Sequence, residues 1–213
     1  MVPRTRIKVC GITEQGEAEA LARLGVDALG FIFYKESPRY IEPEAARKII
    51  SSLPPFVDTQ GVFVNEDPDL VNDIAQYCSL SFVQLHGSEP VKYCQAINTP
   101  IIKAFQIKGR ESLDEIKPFE ELTKGFLLDT YHPELAGGTG EKFDWQLLAD
   151  CLIPKPFILA GGLNAGNVEE AVRITRPWAV DVNSGVESSA GHKDISLVAE
   201  VMAAVRRADN SKM

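Results

Sequence analysis

RIKVCGITEQGEAEALARLGVDALGFIF (6–33) decides the fold. It opens on an apolar run, RIKVCGI (6–12), and passes into EAEALARLG (17–25), where Ala and Leu recur at helical intervals up to a glycine stop. It then returns to a second apolar run, DALGFIF (27–33). Apolar run, amphipathic stretch with Gly25 as C-cap, apolar run: this is a strand–helix–strand unit. Strands joined through a crossover helix run parallel.

The unit repeats. Apolar runs at TQGVFV (59–64), SFVQLHG (81–87), PIIKAFQ (100–106), KGFLLDT (124–130), PFILAGG (156–162) and WAVDVNSG (178–185) bring the strands to eight. Between them, spacing near 3.6 predicts helices over 42–54, 67–78, 88–97, 110–119, 143–152, 164–175 and 194–208. Pro43 stands near a helix start and Pro54 past its end. Eight such units in 213 residues predict an α/β fold, a single-domain (β/α)8 TIM barrel over 1–213. A doubly wound open sheet is the alternative, but no G-x-G-x-x-G follows the first strand. The glycine-rich segment YHPELAGGTGEKF (131–143) is read as a mobile loop after the sixth strand. Its GGTG lacks the Lys-Ser/Thr ending of a phosphate loop.

Net charge is −8, with 22 basic residues scattered among 30 acidic ones. Without a basic stripe we expect no nucleic-acid partner. Any anionic ligand must be held by local donors against an unhelpful overall field. No apolar run reaches the roughly 18–20 residues that cross a bilayer, and the N-terminus shows no signal core, so we expect a cytoplasmic protein with no membrane partner. The four cysteines, Cys10, Cys78, Cys94 and Cys151, form no C-x-x-C pair and do not cluster with the three histidines, which argues against zinc or a disulfide framework. Cys78, Cys94 and Cys151 read as small buried hydrophobes in or beside helices. Cys10, in a strand just before a glycine, does not.

In a parallel barrel the chemistry sits where the strands end. Strand side chains alternate between lumen and helices, so if Ile7 and Val9 face the helices, Lys8 and Cys10 face the lumen. The same alternation turns Gln84 and His86 inward from Val83 and Leu85, and Asp181 and Asn183 inward from Val180 and Val182. Asp129 is in phase with Leu127, and Asn65 with Phe63. Four or five strands thus bring polar groups to one end of one cavity. Each has a plainer reading: Asp129 as a loop cap, Gln84 and His86 as a core pair, Lys8 as the ion partner of Asp181 or Asp129. LAGGLN (159–164) and VNSGVE (182–187) end strands seven and eight, where glycines and helix starts suit a phosphate.

KVCGIT, FYKESPRYI, GVFVN, FVQLHG, LLDT followed by GGTG, LAGGLN and DVNSGVE occur in this order. Together they resemble the phosphoribosylanthranilate isomerases of tryptophan biosynthesis over nearly the whole chain. The resemblance implies an Amadori rearrangement of an aminoaldose phosphate to the aminoketose. It implies Cys10 as general base, Asp129 as general acid, and Arg39 on the anthranilate carboxylate. Gly161, Gly162, Ser184 and Gly185 would hold the phosphate, with Asn183 where the family usually has serine. Lys8, Gln84, His86, Asp181 and Asn183 join these as expected substrate-binding residues.

The residue types suit that chemistry. An acid opens the furanose while a Schiff base forms, and a thiolate takes the proton from the second carbon. A free thiol titrates near 8.5, and Lys8 on the same face is expected to lower that value. The iminium is its own electron sink, so no cofactor and no metal are expected. The expected partner is a small phosphosugar, with the chain a monomer or a homodimer. Two alternatives stand: another phosphosugar isomerase, such as the aminoaldose isomerase of histidine biosynthesis, and a non-catalytic phosphosugar-binding barrel.

Overall fold

The computed structural model describes residues 4–130, 145–149 and 151–211. Eight parallel strands close into a barrel in chain order: β1 (Arg6–Cys10), β2 (Ala28–Ile32), β3 (Asp58–Phe63), β4 (Phe82–Leu85), β5 (Ile101–Gln106), β6 (Gly125–Asp129), β7 (Phe157–Ala160) and β8 (Ala179–Val182). β1 closes the ring against β8 with Lys8 level with Asp181. On its other side Cys10 is level with Gly30 of β2.

Helices cover the outside: α1 (Gln15–Leu24), α2 (Pro43–Ser52), α3 (Pro68–Cys78), α4 (Val91–Cys94), α5 (Gln146–Ala149), α6 (Val168–Thr175) and α7 (Ile195–Asn210). Ile7, Val9, Val83, Leu85, Val180 and Val182 all join the buried layer between strands and helices, as the alternation requires. Each such side chain fully withdrawn from water contributes about 1.5–3 kcal/mol. The barrel interior is divided. Ile102, Ala104, Leu127, Ile158, Ala160 and Ala179 fill the β5–β8 side, whereas Cys10 packs with Ile32 and Val62 near β1–β3.

Three predicted helices shrink. Pro90 has no N–H and delays α4 to Val91, and the chain past Cys94 turns through Ala96 N–H to Tyr93 O at 3.0 Å and Ile97 N–H to Cys94 O at 3.3 Å. The 110–119 segment forms two 3-10 stretches, Arg110–Glu115 and Lys117–Leu122, because Pro118 interrupts the helical ladder. α6 starts at Val168, not after Asn164. Asn167 Oδ1 accepts from the Asn164 N–H and Asn164 Oδ1 from the Gly166 N–H, both at 2.8 Å, and these side-chain turns hold the backbone out of the helix. The 131–143 segment lies outside the described residues.

One lumen assignment is corrected. Phe63 lies in the outer layer, stacked on Phe33 with ring centroids 5.2 Å apart. Val62 faces the interior instead. Asn65 accordingly serves the β4 loop, where its Oδ1 accepts from the Ser88 N–H at 2.8 Å.

Candidate active site

At the C-terminal end of the strands a cavity of about 470 Å³ is lined by Cys10, Arg39, Gln84, His86, Asp129, Gly161, Gly162, Asp181, Asn183, Ser184 and Gly185. These are all the site residues singled out in the sequence except Lys8, and Asn65 is absent as well. β1 supplies Cys10, β4 and its end supply Gln84 and His86, β6 supplies Asp129, and β8 and its end supply Asp181 and Asn183. Arg39 arrives on the loop between β2 and α2.

Two glycines make this approach sterically possible. A Cβ on Gly30 would stand 2.6 Å from Cys10 Sγ and 3.1 Å from Lys8 Cε, so β2 must lack a side chain where β1 turns its thiol inward. A Cβ on Gly185 would collide with the Leu163 carbonyl, so the loops after β7 and β8 touch only because Gly185 has none. Gly161 and Gly162 turn the β7 end through φ 103° and 62°, conformations that L side chains disfavour.

Lys8 is only 1% exposed and lies one layer below the cavity. Its Nζ donates to Asp181 Oδ2 at 2.6 Å and to Gln84 Oε1 at 2.7 Å. Burial works against the ammonium, but Asp181 and Cys10 outweigh it and push the Lys8 pKa up, while burial pushes the Asp181 carboxyl up in turn. Lys8 is absent from the cavity lining, and its charge lowers the Cys10 pKa as expected without leaving the net value low. Burial pushes the Cys10 thiol above its ordinary value, and the charges of Lys8 and Lys193 offset only part of that rise. Gln84 Nε2 stands 2.9 Å from His86 Nδ1, and His86 Nε2 stands 3.4 Å from Asp129 Oδ2. Asp181 Oδ1 is buried with no hydrogen-bond partner among the described residues.

Arg39 lines the same cavity. Its planar fork is engaged within the protein: Nε donates to Glu187 Oε1 at 2.8 Å and Nη2 to Glu187 Oε2 at 2.6 Å. Lys193 Nζ donates to the same carboxylate at 2.6 Å and to Asn183 Oδ1 at 2.8 Å. Burial would raise the Glu187 pKa, but Arg39 and Lys193 outweigh it and set it at about 2. Lys193 is a donor only, so it fixes Asn183 Oδ1 as acceptor and leaves the amide NH₂ as the group Asn183 can offer.

Glu187 and Lys193 escaped the sequence reading. They sit on a two-stranded antiparallel ribbon, β9 (Glu187–Ser189) and β10 (His192–Lys193), inserted between β8 and α7. Lys193 falls in the run HKD, which reads as an exposed polar approach to the last helix. A Glu six residues before a Lys carries no period that marks burial.

A closed parallel barrel whose C-terminal face gathers a thiol, a carboxyl and two glycine-turned loops belongs to the class of barrel enzymes acting on small phosphorylated substrates. The family model described as N-(5'-phosphoribosyl)anthranilate (PRA) isomerase matches residues 7–204. The chain belongs to that family and is an isomerase. It is 48% identical to the N-(5'-phosphoribosyl)anthranilate isomerase of Geobacter sulfurreducens over 203 residues, 95% of this chain and 98% of that one. It is 46% identical to the enzyme of Moorella thermoacetica over 96% of this chain and 91% of that one. Among solved structures, the phosphoribosyl anthranilate isomerase of Thermotoga maritima superposes with a TM-score of 0.87 at 40% identity, covering 95% of this chain and 99% of that one. A further isomerase structure, in complex with reduced 1-(o-carboxyphenylamino)-1-deoxyribulose 5-phosphate, matches at TM-score 0.84 and 39% identity over 95% of this chain and 99% of that one.

Proposed function

We propose that the upper cavity converts N-(5-phosphoribosyl)anthranilate to 1-(2-carboxyphenylamino)-1-deoxyribulose 5-phosphate, the Amadori step of tryptophan biosynthesis, with Cys10 as base and Asp129 as acid. The observation that carries this reading is that Cys10, Asp129 and the paired loops after β7 and β8 line one cavity. Asp129 gives a proton to the ring oxygen as the first carbon–oxygen bond breaks, and the anilinic nitrogen lone pair closes the iminium. The Cys10 thiolate takes the proton of the second carbon, whose bonding electrons neutralise the iminium as an enolamine. The enolamine gains a proton at the first carbon and releases one from the 2-hydroxyl, which balances the two transfers. No redox or metal partner is needed for this sequence.

Gly161, Gly162, Ser184 and Gly185 hold the phosphate, and Asn183 adds its amide NH₂. Because Glu187 takes the planar fork, Arg39 meets the anthranilate carboxylate with Nη1 and with the net positive charge of the Arg39–Glu187–Lys193 set. The missing donor at Asp181 Oδ1 is supplied by a sugar hydroxyl. We place the protein in the cytoplasm, acting as a monomer or a homodimer on a small phosphosugar, without nucleic-acid or membrane partners. No helix among the described residues is long and apolar enough to cross a membrane.

The test mixes purified protein with freshly made phosphoribosylanthranilate and follows loss of anthranilate-type fluorescence, with the aminoaldose of histidine biosynthesis in a parallel vessel. The expected result is turnover of the first and little of the second. Preference for the second substrate overturns the assignment, and binding without turnover makes the chain a phosphosugar-binding barrel.

A further inference from the structure

Beneath the cavity, five side chains form one line. Asp181 Oδ2 accepts from Lys8 Nζ at 2.6 Å, Gln84 Oε1 accepts from the same Nζ at 2.7 Å, Gln84 Nε2 stands 2.9 Å from His86 Nδ1, and His86 Nε2 stands 3.4 Å from Asp129 Oδ2. The chemistry of the first member orders the rest. An ammonium only donates, so the Gln84 atom facing it is the carbonyl oxygen. The other end of that amide is then NH₂, which also only donates. His86 Nδ1 must therefore accept, and the single proton of the neutral imidazole sits on Nε2, facing Asp129. The direction is set by Lys8, which is 1% exposed and paired with Asp181 Oδ2 at 2.6 Å, and Gln84 is likewise 1% exposed in the same layer.

We propose that Gln84 is a positioning residue for the isomerisation: gripped by Lys8, it locks His86 in the Nε2–H tautomer, so that His86 holds Asp129 Oδ2 as an acceptor and the proton Asp129 delivers is carried on Oδ1. When that proton passes to the ring oxygen, the carboxylate left behind is met by a donor already in place, a preorganised arrangement that needs no rotation at the moment of transfer. The contact at 3.4 Å shortens as charge grows on the carboxylate, since catalytic hydrogen bonds tighten in the transition-state complex. This inference rests on Asp129 being the acid. Lys8 and Asp181 Oδ2 act here as the anchor of the line, which leaves Asp181 Oδ1 to the sugar.

The tautomer is directly measurable. Long-range ¹H–¹⁵N correlation on protein labelled at its histidines distinguishes the two neutral forms, with His86 assigned by substituting His132 and His192 in turn. The expected signature in the resting wild-type protein is Nε2–H for His86. An Nδ1–H signature, or an averaged mixture of the two, overturns the proposal. Gln84→Glu supplies the second readout, because its carboxylate accepts from Lys8 at one oxygen and from an Nδ1–H at the other. The expected result is a switch of His86 to Nδ1–H with kcat lowered about tenfold or more and KM within about threefold, the loss typical of a displaced reacting geometry rather than of binding. Retention of Nε2–H in Gln84→Glu, or a switched tautomer with unchanged kcat, also overturns it. The tautomer is read without substrate, so a failure there is separate from a failure of the acid assignment, which shows as Asp129→Asn retaining turnover.

Discussion

The two ends of the barrel lumen enclose space of opposite character. The upper cavity, about 470 Å³, is walled by a thiol, carboxylates, amides and glycine turns. The lower one, about 280 Å³, is bordered by Ala28, Phe82, Ile102, Ile158 and Ala179, with the Arg6 guanidinium 3.8 Å above the Trp178 ring at its mouth. Lys8 borders the lower space while its partners Gln84 and Asp181 border the upper, so one buried ionic layer separates them. The difference teaches where a barrel carries costly groups. Burying polar side chains is unfavourable unless each finds a partner. The upper end accepts that cost and answers it with ordered pairs: Lys8 with Asp181, and Lys193 and Arg39 with Glu187. The lower end carries less of it: Arg4 pairs with Asp27 at its rim, while Arg6 Nη1 and Gln60 Oε1 are buried with no hydrogen-bond partner among the described residues.

The largest expected effect breaks the comparison if it fails. Cys10→Ala and Asp129→Asn should each lower kcat by about 10²–10⁴-fold, the range for loss of a positioned acid or base. Affinity for the reduced product analogue should stay within a few-fold. Trp178→Ala at the other end should leave kcat unchanged, and steady-state assays of the three variants side by side decide it. Next in size is stability. Lys8→Met leaves Asp181 buried without its ammonium and should cost about 3–5 kcal/mol in urea unfolding, whereas Lys8→Met combined with Asp181→Leu should recover most of it without restoring activity.

A smaller effect concerns acid. The Glu187 pKa of about 2 lies below the ordinary carboxylate value, so its contribution to stability is present above about pH 4.3 and is lost as pH falls toward 2. Glu187→Gln should flatten the melting temperature over that window, and should raise KM by releasing Arg39. The smallest effect is at the lower mouth, where Trp178→Ala removes the stacked partner of Arg6 for about 0.5–1 kcal/mol.

Much of the upper end was legible because strand alternation has a period of two and leaves little freedom. Once Ile7 and Val9 are buried against helices, Lys8 and Cys10 have one face left. The same logic failed at Asn65, because reading inward from the strand's end took Phe63 as a lumen residue, and an aromatic fits either side. The depth of Lys8 was not legible. Alternation gives a face, and only closure of β1 on β8 shows that Lys8 lies level with Asp181 and below the ligand space. The partners of Arg39 were hidden for another reason: Glu187 and Lys193 come from a ribbon of five residues, too short for any period to show. Pro90 and Pro118 carried the signal for the shortened helices, since each removes a backbone donor, but apolar spacing alone ran the predicted helices through them.

The account depends on the Cys10 sulfur sharing one pocket with the groups that hold the phosphosugar. Alkylation of Cys10 by iodoacetamide, followed by peptide mass spectrometry with and without reduced 1-(o-carboxyphenylamino)-1-deoxyribulose 5-phosphate, tests this most directly. Saturating analogue should slow modification of Cys10 at least about tenfold and leave Cys151 unaffected, because a bound ligand lowers the rate in proportion to the free fraction. Analogue that binds while Cys10 reacts at its unprotected rate would contradict the account.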